Sequence, residues 1–182
     1  FKFTNLIQDK GSLTAGAGSS SELQKAIPIV SSYNSGPIGL KLNNGSFLKA
    51  TNFSCGTDLV IDAGNFTVTA VDDGIRGKDS LTINGGTINV TAGGDGIKST
   101  NDTDTTKGYT TITGGEITVK AGDDGIKAET ALTIDGGTIT VSESAEAFEG
   151  TNITINGGTL DVYGSDDAIN AASATSSDIF IK

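Results

Sequence analysis

The sequence contains no histidine and one cysteine in 182 residues. A histidine-based catalytic triad and a histidine-ligated zinc site are therefore excluded. Cys55 alone makes neither an internal disulfide nor a multi-thiolate metal site, and reads as a small buried apolar residue. Proline occurs only twice, which excludes collagen and a proline-rich linker. No run approaches the ~18 apolar residues needed to cross a membrane. No signal-peptide pattern is read, and the start at Phe1 gives the expectation of a processed or excised segment. Basic residues are in deficit, 12 Lys and Arg against 22 Asp and Glu, for a net charge of −10. Such a surface repels phosphate backbones and excludes nucleic acid as a partner. Any bound cation is expected to be a hard one that takes oxygen ligands.

What is abundant is glycine, 26 residues, about twice its usual share of ~7%. The length suits one domain with an ample core, and Leu, Ile, Val and Phe recur too regularly for disorder. Their regularity is that of a repeat. Thr82-Ile83-Asn84-Gly85-Gly86-Thr87-Ile88-Asn89-Val90 returns at Thr111–Val119, Thr133–Val141 and Thr154–Val162, after a degenerate copy at Val60–Val68. The second glycine falls at 64, 86, 115, 137 and 158, so the period is 22, 29, 22 and 21 residues, with an insertion from Ser99 to Gly108. A second motif keeps step: Asp72-Asp73-Gly74-Ile75, Gly94-Asp95-Gly96-Ile97, Asp123-Asp124-Gly125-Ile126, Ala145-Glu146-Ala147-Phe148 and Asp166-Asp167-Ala168-Ile169.

Within each copy apolar residues alternate, as in Ile88, Val90 and Ala92, which is the period of strands with one buried face. The glycine pairs supply positive-φ turns, and no helical period interrupts them. About 22 residues hold three short strands and three turns, and stacked coils bury a continuous core. The fold class predicted is all-β, a right-handed parallel β-helix, with a β-hairpin meander as the alternative. Residues 1–57 form an N-terminal cap and an eroded first coil, and residues 58–182 the repeat region of the same domain. Ser21–Ile27 is expected to be a short capping helix, Leu42–Phe47 the eroded coil, and Ile179 and Ile181 part of a last strand.

Stacking has an electrostatic consequence. Equivalent residues of neighbouring coils lie ~4.8 Å apart. Asp73, Asp95, Asp124, Glu146 and Asp167 then form one column, flanked by Asp72, Asp123 and Asp166. Each neighbouring pair repels by roughly 1 to 3.5 kcal/mol, and protonation, basic neighbours or bound cations must offset this. Arg76, Lys98 and Lys127 stand three positions on, but Glu149 and Asn170 occupy the later copies. Asn101, Asp102 and Asp104 add oxygen ligands in the insertion. Such clusters suit Ca²⁺, with its 6–8 flexible oxygen ligands, better than Mg²⁺. The plainer alternative is turn chemistry balanced by the basic neighbours. The Asp62, Asn84, Asp135 and Asn156 column reads as turn geometry.

The run from Asp72 to Asn170, with its Asp-Asp-Gly-Ile-(Arg/Lys) and Thr-Ile-x-Gly-Gly-Thr-Ile copies and the Lys98-Ser99-Thr100-Asn101-Asp102 insertion, resembles secreted bacterial carbohydrate-binding domains with a polysaccharide-lyase-like β-helix. The resemblance implies a pectate-lyase-like fold, calcium at the turns, and plant cell-wall polymers such as cellulose and acidic pectic sugars as partners. By this resemblance Asp72, Asp73, Asp95, Asp123, Asp124, Asp166 and Asp167 are calcium ligands, while the fourth copy, at Glu146, departs from the motif. A calcium ion only partly satisfied by the protein would accept a uronate carboxylate. Arg76, Lys98 and Lys127 would pair with further sugar groups. With no tryptophan and three tyrosines, sugar stacking falls to Tyr109 and Tyr163.

The expected function is thus a secreted, calcium-dependent carbohydrate-binding module. One alternative is a calcium-assisted uronate lyase acting by β-elimination, with Lys98 or Lys127 as base. Another is a calcium-rigidified stalk or adhesin segment. An ice-binding threonine face is disfavoured by Glu116, Lys120, Asp161 and Tyr163, which interrupt it.

Overall fold

The structure is a computed structural model that describes residues 53–173 and 176–182, together with the backbone of three earlier strands. Those strands are Leu13–Ala15 (β1), Ile38–Lys41 (β2) and Phe47–Ala50 (β3). The helix expected at Ser21–Ile27 and the Cys55 side chain lie outside the described residues. The chain continues through Phe53–Cys55 (β4), Asp58–Ala63 (β5), Asn65–Thr69 (β6), Ile75–Gly77 (β7), Ser80–Ile83 (β8), Thr87–Thr91 (β9), Ile97–Ser99 (β10) and Tyr109–Ile112 (β11). It ends with Glu116–Lys120 (β12), Ile126–Ile134 (β13), Thr138–Glu143 (β14), Glu146–Ile155 (β15), Thr159–Val162 (β16), Asp167–Ala171 (β17) and Asp178–Ile181 (β18).

These strands wind as a β-solenoid of about six turns. One face stacks β2, β5, β8, β11, the second halves of β13 and β15, and β18. A second face stacks β3, β6, β9, β12, β14 and β16. The third stacks β4, β7, β10, the first halves of β13 and β15, and β17. Every one of these pairings is parallel, which removes the hairpin meander. Among the described residues the one antiparallel pairing is β1 on β4. Of the eroded coil expected at Leu42–Phe47, all but Phe47 lies outside the described residues; β2 and β3, on either side, pair in parallel with β5 and β6.

Because side chains alternate across a strand, parallel stacking lines up identical apolar residues inside. Ile61, Ile83, Ile112, Ile134 and Ile155 form one inner column, and Ile75, Ile97, Ile126, Phe148 and Ile169 another. Ile75, Ile97, Ile126 and Phe148 are all 0% exposed. Each such side chain contributes about 1.5–3 kcal/mol by leaving water, and none can do so in an isolated coil.

The glycine pairs turn the chain from the first face to the second. Gly64, which follows Ala63, and the second glycine of each pair, Gly86, Gly115, Gly137 and Gly158, have positive φ, at 119°, 105°, 103°, 96° and 108°, a region that side chains oppose. The polar residue before each pair ties neighbouring coils together. Asn84 Nδ2 donates to Asp62 Oδ1 at 2.8 Å, Thr113 Oγ1 to Asn84 Oδ1 at 2.9 Å, and Asn156 Nδ2 to Asp135 Oδ1 at 2.7 Å. This column is a hydrogen-bond ladder built on turn geometry.

Candidate functional site

The acidic motif sits at the next corner, between the second and third faces. The Ile75–Ile97–Ile126–Phe148–Ile169 register carries the residues two positions earlier into one column: Asp73, Asp95, Asp124, Glu146 and Asp167. The flanking column is Asp72, Gly94, Asp123, Ala145 and Asp166, joined by backbone hydrogen bonds of 2.9–3.2 Å. Gly94 and Ala145 therefore separate its carboxylates by two coils, and Asp72, Asp123 and Asp166 stand in solvent. The main column is more deeply set. Asp95 is 4% and Asp124 2% exposed.

Its charge is met in two ways. Asp73 Oδ1 accepts the Asp95 N–H at 3.2 Å, and Asp95 Oδ1 accepts the Asp124 N–H at 3.0 Å, so each carboxylate caps the backbone of the following coil. The ammonium groups take the other oxygens. Lys98 Nζ lies 2.8 Å from both Asp73 Oδ2 and Asp95 Oδ2. Lys127 Nζ lies 2.8 Å from Asp124 Oδ2 and 2.6 Å from Glu149 Oε1. Burial alone would lower both lysine pKa values, but the paired carboxylates outweigh it and raise them. A lyase base must give up its proton, and these two hold theirs firmly. Arg76, in register with Lys98, is exposed.

Asp124 is the exception in the column. Its Oδ1 is buried and, among the described residues, has no hydrogen-bond partner. Burial pushes its pKa up; Lys127 opposes this, contact with Glu146 and the charge of Glu149 reinforce it, and the result is about 7. Two groups of carboxylates bring one oxygen from each member within 4.8 Å of one another: Asp95, Asp123 and Asp124, and Asp124, Glu146 and Glu149. That 4.8 Å limit is about twice a calcium–oxygen distance of roughly 2.4 Å, and a small inward shift of the side chains would let one hard cation meet all three oxygens of a group. The oxygen-only donor set fits such an ion. Among the described residues, Asp72, Asp73, Asp166 and Asp167 join no such group. Glu149 was not a predicted ligand; the signal for it was a change of sign at a position held by Arg76, Lys98 and Lys127 in earlier copies.

The insertion lies at the other end of β10, at the corner between the third and first faces, and is not brought into the column. Asn101 Oδ1 already accepts from Thr103 N, Thr103 Oγ1 and Asp104 N, and its Nδ2 donates to Asp79 Oδ1 at 2.8 Å. Asp104 Oδ1 accepts from Thr106 N and Oγ1, while Asp102 is exposed. Burial would raise the Asp79 pKa, but the Asn101 bond and Lys107, 3.1 Å away, lower it. The insertion is thus a loop closed on its own side chains. The two tyrosines are not neighbours: Tyr109 opens β11 on the first face and is 40% exposed, while Tyr163 follows β16 on the second and is 58% exposed.

Parallel coils with a carboxylate column along one corner define a repeat protein of the β-solenoid class. Residues 49–179 match the family of carbohydrate-binding domain-containing proteins, and the chain belongs to that family. No curated protein and no solved structure matches it. Among the described residues no helix is long and apolar enough to cross a membrane.

Proposed function

We propose that the chain is a secreted, calcium-dependent module that binds plant cell-wall polysaccharide, with acidic pectic sugars such as polygalacturonate as the first ligand and cellulose as the second. Family membership supports carbohydrate as the ligand class. The observation that carries the rest is the occupancy of the lysines. Lys98 and Lys127, the column's own cations, each already contact two protein carboxylates. An acidic glycan approaching a chain of net charge −10 therefore needs a positive charge that the column lysines do not supply. A calcium ion held by column carboxylates supplies it, leaving coordination positions for a uronate oxygen. Arg76, exposed at the start of the lysine column, would pair with a further sugar carboxylate.

Affinity electrophoresis through polygalacturonate, with calcium or with a chelator, tests this. Retardation that requires calcium is expected. Equal retardation in chelator would refute calcium dependence, and equal mobility with and without the polymer would refute a pectic ligand.

A further inference from the structure

The column changes character between Asp124 and Glu146. At the two earlier levels each aspartate has both oxygens engaged. Oδ1 takes the N–H of the next column residue, Asp95 or Asp124, and Oδ2 takes the Lys98 ammonium. At Asp124 only the second half of this arrangement survives. Oδ2 meets Lys127, but Oδ1 is buried and, among the described residues, has no hydrogen-bond partner. The same coil above also reverses the sign of the lysine column. In register with Arg76, Lys98 and Lys127 stands Glu149, followed by Asn170. Lys127 consequently leans toward Glu149 Oε1, and Asn170 Nδ2 donates to Glu149 Oε2 at 3.3 Å. Three carboxylates, Asp124, Glu146 and Glu149, thus bring one oxygen each within 4.8 Å of one another, Asp124 carries the unpartnered Oδ1, and Lys127 is the ammonium in contact with the group.

We infer that Asp124, Glu146 and Glu149 form a divalent-cation site between these two coils, in which a hard ion such as Ca²⁺ takes the place that a lysine ammonium holds at the level of Asp73 and Asp95. This deepens the calcium reading above by assigning it to the copy where the Asp-Asp-Gly-Ile motif is missing. The chemistry is consistent in charge and in donor type. Asp124 Oδ1 gains the partner it lacks, and three carboxylates need more positive charge than Lys127 alone provides. Glu146 and Glu149 are part-exposed, so the ion has a route in and keeps open positions toward solvent.

The test is to count ions by calorimetric titration with CaCl₂ for the wild type, Glu149→Lys and Glu149→Gln. Lysine fits at 149 because it stands in register with Lys127. Glu149→Lys should bind one ion fewer than the wild type, and its melting temperature in chelator should equal or exceed that of the wild type, since the new ammonium replaces the ion. Glu149→Gln should weaken the same site at least tenfold without that gain. An ion count and affinity unchanged in both variants, or no calcium bound by the wild type, overturns the proposal. Retardation by polygalacturonate is scored separately on the same proteins. A wild type that binds the ion but is not retarded refutes the pectic reading, while the ion count still judges the site.

Discussion

Replacing Lys98 by methionine keeps most of the apolar stem and removes the charged ammonium with its hydrogen bonds. Lys98 Nζ stands 2.8 Å from Asp73 Oδ2 and from Asp95 Oδ2, and the side chains of Lys98, Asp73 and Asp95 are 19%, 17% and 5% exposed. Removing one partner of a buried pair costs about 3–5 kcal/mol because the other charge is left in a poor solvent, whereas exposed pairs are worth about 0–1 kcal/mol. The partial exposure of Lys98 and Asp73 places Lys98→Met between these limits, at roughly 2–3 kcal/mol. The double variant Asp95→Asn/Lys98→Met removes both the ammonium and the more deeply buried carboxylate. It should recover at least half of that loss. Urea denaturation in chelator measures both, at low salt and at about 0.5 M salt, where exposed pairs are screened and shielded ones much less. A loss below about 1 kcal/mol, or one that disappears in salt, would show that Lys98 is a surface lysine and that the column is not held by it.

Three further outcomes follow from the same structure. Ile126→Ala empties a fully buried position in an inner column and should cost about 2–5 kcal/mol by denaturation. Gly115→Ala puts a side chain at φ 103° with its Cβ 3.0 Å from the Gly86 carbonyl oxygen, and should lower stability by about 1–3 kcal/mol, whereas no loss would contradict the turn geometry. In chelator, stability should fall as pH rises from about 4.5 to 8. Asp124 titrates near its usual 3.8 when unfolded and near 7 when folded, so the folded state holds an extra proton between those values. The fall is at most about 4 kcal/mol at ~1.4 kcal/mol per unit. Saturating calcium, which competes with that proton beside Lys127, Glu146 and Glu149, should abolish it; a melting temperature that rises with pH in chelator would contradict the assignment.

The solenoid was legible because stacking demands the same residue type at the same place in each coil, so Ile75, Ile97 and Ile126 repeat in the sequence as they repeat in space. The column of Asp73, Asp95, Asp124, Glu146 and Asp167 followed from the period alone. Which of its members lack a partner did not follow, because that depends on where the flexible lysines reach. Lys98 spans Asp73 and Asp95, whereas Lys127 turns to Glu149. How the insertion is bonded did not follow either, for a related reason. Asn101 and Asp104 have the composition of a cation loop, but short polar side chains also bond their own backbone, and those local bonds occupy Asn101 Oδ1 and Asp104 Oδ1 here. The early coil was faint in sequence because Ile38–Lys41 and Phe47–Ala50 keep the alternation without the glycine pair.

The most direct test of calcium-dependent glycan recognition is a calorimetric titration of the protein with a defined oligogalacturonate, in saturating calcium and again in chelator. Binding in calcium that weakens at least tenfold in chelator is the expected result. Equal affinity in both buffers, or no heat in either, would contradict it.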